Sequence, residues 1–200
     1  MCSFGNSDDN YIRGAYNSID GSRNNIVGNT NTLWGNDNAV LGSNIQVTGN
    51  SNRLEGYGLT ATGSGNIVKG VSNSLRGNSN TMVGDSNIVF GSTNDLFGRG
   101  NTLVGNFNDM KGCRNQLSGD DNRIRGSGNS LSGNTNDIFG SNNNLQGYNN
   151  ILKGNSNSLK GSFNGVLGCS NVIDGNSNRI KGSRNDVSGQ NNIIGGRKCR

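Results

Sequence analysis

From Asp8 to Gly196 apolar and polar positions recur with a period of seven, through 27 units without an insertion or deletion. A clean copy is Asn78-Ser79-Asn80-Thr81-Met82-Val83-Gly84. By position the unit reads [Asn/Ser]-x-Asn-x-apolar-x-Gly. Glycine closes every unit, and the fifth position is apolar in all 27. The third position is Asn in 25 of them, with Ile45 and Leu59 as the exceptions. Self-similarity this strict marks a solenoid, a stack of identical small units that share one continuous core.

A seven-residue period invites a coiled-coil reading, which fails. One apolar position in seven is no a/d seam, and a glycine in every unit would dismantle a helix. The local texture is β instead. The segment x-apolar-x is a three-residue strand with its centre inward and its flanks outward. Glycine and the next Asn or Ser make the corner, where positive φ suits Gly. The third-position Asn also points inward and is expected to form an amide ladder with its stacked neighbours. Extra glycines at Gly58 and Gly65 are read as loosening neighbouring corners.

Two units per coil fit better than three. Ile45 and Leu59 are 14 residues apart, so in a 14-residue coil the two exceptions stack and no amide is stranded between them. The outward flanks agree. Units closing at Gly14, Gly28 and so on (face A) carry 13 charges at positions four and six, and the alternate units (face B) carry five. A triangular coil would divide the same charges 4, 5 and 9, which is less sharp. The expectation is all-β: one two-sided β-solenoid (β-roll) over residues 1–200, of about 14 coils spaced by roughly 4.8 Å. Residues 1–7 are read as an irregular cap, 8–196 as the repeats and 197–200 as a basic tail.

Composition then narrows the chemistry. Only 29% of residues are hydrophobic and 34 are Gly, which excludes a wide globular core but allows a narrow one. The net charge of +5 comes from scattered Lys and Arg, so a solvated surface is expected rather than a nucleic-acid stripe. No long apolar run or signal-type segment is present, so neither a membrane span nor a leader is expected. With no His and no Cys-x-x-Cys, a zinc site, a cofactor and catalysis are not expected. Cys2, Cys113, Cys169 and Cys199 are too far apart by coil spacing for a disulfide, so none is expected within the chain.

Such a fold offers a flat, regularly ruled surface. Outward side chains recur at roughly 4.8 Å between coils and roughly 7 Å along a strand, near the repeat distances of ice. Units such as Asn78–Gly84 make the chain similar to the ryegrass-type grass antifreeze, or ice-recrystallisation-inhibition, proteins with x-x-Asn-x-Val-x-Gly repeats. That resemblance implies a left-handed β-roll, an extracellular setting and ice binding through one flat face rich in Thr, Ser and Val. The inward Asn and apolar positions match. Trp34, Arg76, Phe90, Lys160 and Asp174 on face B depart from short side chains.

Two functions suit such a surface. The first is ice binding by face B, with Thr32, Thr48, Thr60, Thr62, Ser74, Thr102, Val104, Ser118, Ser130 and Ser132 as candidates. The second is end-to-end self-assembly into filaments, because solenoid ends expose strand edges. An acidic first coil (Asp8, Asp9) and a basic end (Arg197, Lys198) would meet there, beside Cys2 and Cys199. A glycan- or protein-binding module is a third possibility.

Overall fold

The computed structural model describes residues 4–6, backbone only, and residues 9–196. Contacts divide the chain into two compact units, residues 1–100 and 101–200. In each unit the odd-numbered strands form one parallel sheet and the even-numbered strands another. Unit one runs from β1 (Phe4–Asn6) to β14 (Asp95–Arg99), and unit two from β15 (Thr102–Val104) to β28 (Ile193–Gly195). No helix occurs among the described residues. Face A is the sheet of even strands and face B the sheet of odd strands.

Every strand pairs with the strand 14 residues away. Ser18 lies beside Thr32, Thr32 beside Gln46, and in unit two Thr102 beside Gln116. Two heptads therefore make one coil, and the fold is a two-sided β-solenoid. The register runs one step further than the pattern suggests, because Phe4–Asn6 pairs with Ser18–Asp20 although Gly5 and Ser7 break the motif.

The core is one apolar side chain per heptad. Ile26, Val68, Met82, Leu103, Ile124 and Leu152 are fully enclosed, and only the end residues Ile12 and Ile194 are half open. Burial of such a side chain stabilises by about 1.5–3 kcal/mol, and the stacked column supplies it once per heptad.

Beside it runs the amide ladder. Asn66 makes all four bonds open to its side chain. Its Nδ2 donates to Asn52 Oδ1 at 3.0 Å and to the Gly77 carbonyl at 2.8 Å. Its Oδ1 accepts the Asn80 N–H at 3.0 Å and Nδ2–H at 3.2 Å. Ile45 and Leu59 interrupt the ladder and are wholly buried. The Ile45 N–H still donates to Asn31 Oδ1 at 3.0 Å, and beyond the gap Asn73 Nδ2 turns to the Lys69 carbonyl at 3.3 Å.

The corners hold three features that the pattern only half reveals. The closing glycine is fixed twice over: Gly77 has φ of 146° and a Cβ there would overlap the Gly91 carbonyl oxygen. The second position is left-handed in every unit, with φ of 59° at Thr30, 57° at Phe107 and 59° at Phe163. Gly58 (φ 63°) and Gly65 (φ 67°) occupy this position, so they relieve backbone strain rather than loosen the corner. The first position forms an outer ladder: Ser64 N–H donates to Asn78 Oδ1 at 2.8 Å and Asp120 N–H to Asn134 Oδ1 at 2.9 Å. That is why Asn and Ser recur there. At Tyr57 and Val71 the strands also run on through the corner, with Gly56 beside Gly70 and Tyr57 beside Val71, and the Val71 N–H still donates to Asp85 Oδ1 at 3.0 Å.

The cysteines correct one expectation. Cys113 is free and exposed, but Cys169 is disulfide-bonded, with its partner outside the described residues. Coil spacing limits only residues that lie within coils, and says nothing of a cysteine beyond the repeats.

Candidate functional site

All ten face B candidates sit on outward flanks of odd strands, eight of them exposed and Thr32 and Thr102 half-buried. Alternation along each strand decides this: the middle residue enters the core and its two neighbours must leave it. They fall into two groups.

In unit one the strands are β5 (Thr32–Trp34), β7 (Gln46–Thr48), β9 (Thr60–Thr62) and β11 (Ser74–Arg76). Thr32, Gln46, Thr60 and Ser74 form one column, in register. Thr48 and Thr62 are neighbours in the second column, bounded by Trp34 on one side and Arg76 on the other. This group is therefore framed by two large side chains, with Trp34 exposed.

In unit two the strands are β15, β17 (Gln116–Ser118), β19 (Ser130–Ser132) and β21 (Asn144–Gln146). Thr102, Gln116, Ser130 and Asn144 form one column, and Val104, Ser118, Ser132 and Gln146 the other. No charge and no aromatic ring interrupts these eight positions. Gln116, Asn144 and Gln146 complete the array. They escape a search for Thr, Ser and Val alone, but their place in the heptad identifies them.

The backbone under both groups is held from coil to coil. Thr60 N–H donates to the Asn73 carbonyl at 3.0 Å and Ser130 N–H to the Asn143 carbonyl at 2.8 Å. Bonds of this kind, with the amide ladder behind them, fix the outward side chains at the spacing of a parallel sheet.

Ion pairs form on face A and at the corners. Lys69 meets Glu55 at 2.8 Å on face A and holds its carboxyl below the usual range. At a corner Arg23 meets Asp37 at 2.7 Å, and the guanidinium keeps that carboxyl ionised to lower pH. Arg99 meets Asp85 at 2.9 Å at the opposite corner. On face A of unit two, Asp109 Oδ2 meets Arg125 at 3.3 Å and Arg123 at 4.0 Å, while its Oδ1 is enclosed without a hydrogen bond.

Of the proposed junction residues, Cys2, Asp8, Arg197, Lys198 and Cys199 lie outside the described residues. Asp9 is described, and sits exposed at a left-handed corner with φ of 66°.

A family model described as the grass antifreeze β-roll matches residues 4–91 and 117–199. No curated protein matches the chain. A solved structure titled "Crystal Structure of the polySia specific acetyltransferase NeuO" aligns at 15% identity, over 97% of this chain and 88% of that one, with a TM-score of 0.17. A likeness at that level carries no argument about fold or activity.

Proposed function

Because the chain belongs to the grass antifreeze β-roll family, an ice-binding family, we propose that it binds ice and restrains ice recrystallisation through face B. The observation that carries this reading is the uncharged double column of unit two, Thr102, Gln116, Ser130 and Asn144 beside Val104, Ser118, Ser132 and Gln146. Short hydroxyl and amide side chains on an immobile sheet hold water in fixed places at small entropic cost, since the sheet is ordered before the ice arrives. Thr48, Thr60, Thr62 and Ser74 offer a second, smaller array in unit one. Charges would break this order, and the flanks of face A carry 13 of them against five on face B. Membership of the family supports an extracellular setting for this work.

The test is ice recrystallisation and crystal shaping by the protein and by its Thr60→Tyr and Ser130→Tyr variants. Wild type is expected to keep crystals small and to facet them, and Ser130→Tyr to lose most of the effect. Crystals unaltered by wild type would end this reading.

Self-association end to end is a second reading, favoured by the direction of the amide ladder. Each Oδ1 accepts from the coil that follows. In the last coil Asn185 and Asn192 donate backward to Asn171 and Asn178, both at about 3 Å, and their own Oδ1 atoms accept nothing among the described residues. Asn17, near the start, donates to the Gly28 carbonyl and has no earlier amide to bond among the described residues. Acceptors at one end and donors at the other suit head-to-tail stacking. Monodisperse single particles by electron microscopy, with and without reductant, would end that reading.

A further inference from the structure

Face A of unit two ends in a feature that ice binding does not use. Its last strands are β22 (Ile151–Lys153), β24 (Gly165–Leu167), β26 (Arg179–Lys181) and β28. Lys153, Leu167, Lys181 and Gly195 follow one another in register along the outer column. An open groove of about 650 Å³ runs there, lined by Lys153, Leu167, Lys181 and the glycines at and beside the corner.

Two of the glycines on this surface are not demanded by the backbone. Gly165 and Gly195 stand at outward flank positions, have no positive φ, and would meet nothing within 4 Å if they carried a Cβ. Glycine in a strand costs stability and commonly marks a place where another molecule approaches closely. Gly165 leaves the other flank of the Leu167 strand bare, Gly195 leaves the groove bare beyond Lys181, and Leu167 between the two lysines is exposed. The result is an apolar floor with an ammonium on either side. Lys153 and Lys181 are two coils apart, about 10 Å. Lys153 leans over the Phe139 ring at 5.5 Å, and Arg179 shares a strand with Lys181.

The charge is one-sided. Face A of unit two carries acidic residues only at Asp109 and Asp137, and none from Ile151 onward. The corners of those last coils add no carboxylate either.

We propose that this groove binds a linear carboxylated polysaccharide. The apolar C–H faces of the sugar rings rest on Leu167 and the bare glycine backbone, and carboxylates on the same side of the chain pair with Lys153 and Lys181, with Arg179 as a third cation. A nucleic acid fits less well. Single strands are held by stacking bases on exposed rings, and the Phe139 ring beside the groove is covered by Lys153. This site is separate from face B and does not depend on the ice reading.

The experiment is binding of the full chain to immobilised polygalacturonate at low and high salt, with dextran and single-stranded DNA as comparison probes. Wild type is expected to bind polygalacturonate in a salt-sensitive way and to ignore dextran. The Lys153→Gln/Lys181→Gln variant is expected to bind roughly tenfold more weakly, as for two exposed ion pairs. Gly195→Gln fills the groove without a clash and is expected to weaken binding while leaving thermal unfolding unchanged, whereas Lys160→Gln on face B changes nothing. Equal binding to dextran, tighter binding to DNA, or full binding by the double lysine variant would each overturn the proposal.

Discussion

Asn66 and Asn80, one coil apart, are joined by two bonds to a single oxygen: Asn66 Oδ1 accepts both the N–H and the Nδ2–H of Asn80. The link repeats from coil to coil, so each amide is half of two such pairs. Removing one amide breaks bonds on both sides. Removing two neighbours breaks their shared link only once, as Ile45 and Leu59 already do.

A double-mutant cycle tests this. Asn66→Leu is expected to cost roughly 2–4 kcal/mol, because buried donors and acceptors lose partners. Asn66→Leu/Asn80→Leu is expected to cost clearly less than the sum of the two single changes, measured by chemical unfolding. Additive costs would show that the shared link has no energetic meaning.

Glycines separate by position. Gly77→Ala is expected to destabilise by more than about 3 kcal/mol or to prevent folding, since positive φ and the Gly91 carbonyl both exclude a Cβ. Gly165→Ala meets nothing and is expected to be neutral or stabilising by about 0.5–1 kcal/mol. Thermal unfolding of the two variants decides it.

The left-handed second position gives a third prediction. Thr93 and Thr135 are β-branched at φ of 58° and 59°, which side chains of that shape resist. Thr93→Asn and Thr135→Asn are each expected to stabilise by roughly 0.5–1 kcal/mol, because Asn tolerates this conformation. A lower unfolding midpoint in either variant would count against the strain argument.

Acid should loosen the roll modestly. Asp37 and Glu55 have carboxyls lowered from 3.8 and 4.5 by Arg23 and Lys69. A depressed carboxyl stabilises above its unfolded pKa, and that contribution is lost as pH falls through the lower, folded value. The unfolding temperature is therefore expected to fall as pH drops below about 4, less so in Asp37→Asn/Glu55→Gln, and less at high salt, which screens exposed pairs.

The coil was legible because its evidence is arithmetic: the spacing of Ile45 and Leu59, and the uneven charge on the two flanks. The inward Asn followed from the same period. The corners were less legible. A run as varied as Thr30, Phe107 and Arg114 gives no compositional hint that one backbone conformation serves them all. Gly58 and Gly65 were the visible trace of that conformation. The outer Asn/Ser ladder was present in the motif, but its partner lies 14 residues on, beyond any local reading. Cys169 shows the limit of spacing arguments, since they speak only for residues inside the coils.

Ice affinity partition tests the central claim most directly. A protein bound to a growing ice front is engulfed, and an unbound one is swept into the liquid. Wild type and the face A variant Ile67→Tyr should both enter the ice, and Ser130→Tyr should stay largely in the liquid. Exclusion of wild type, or equal entry by Ser130→Tyr with Ile67→Tyr left behind, would contradict the assignment of ice to face B.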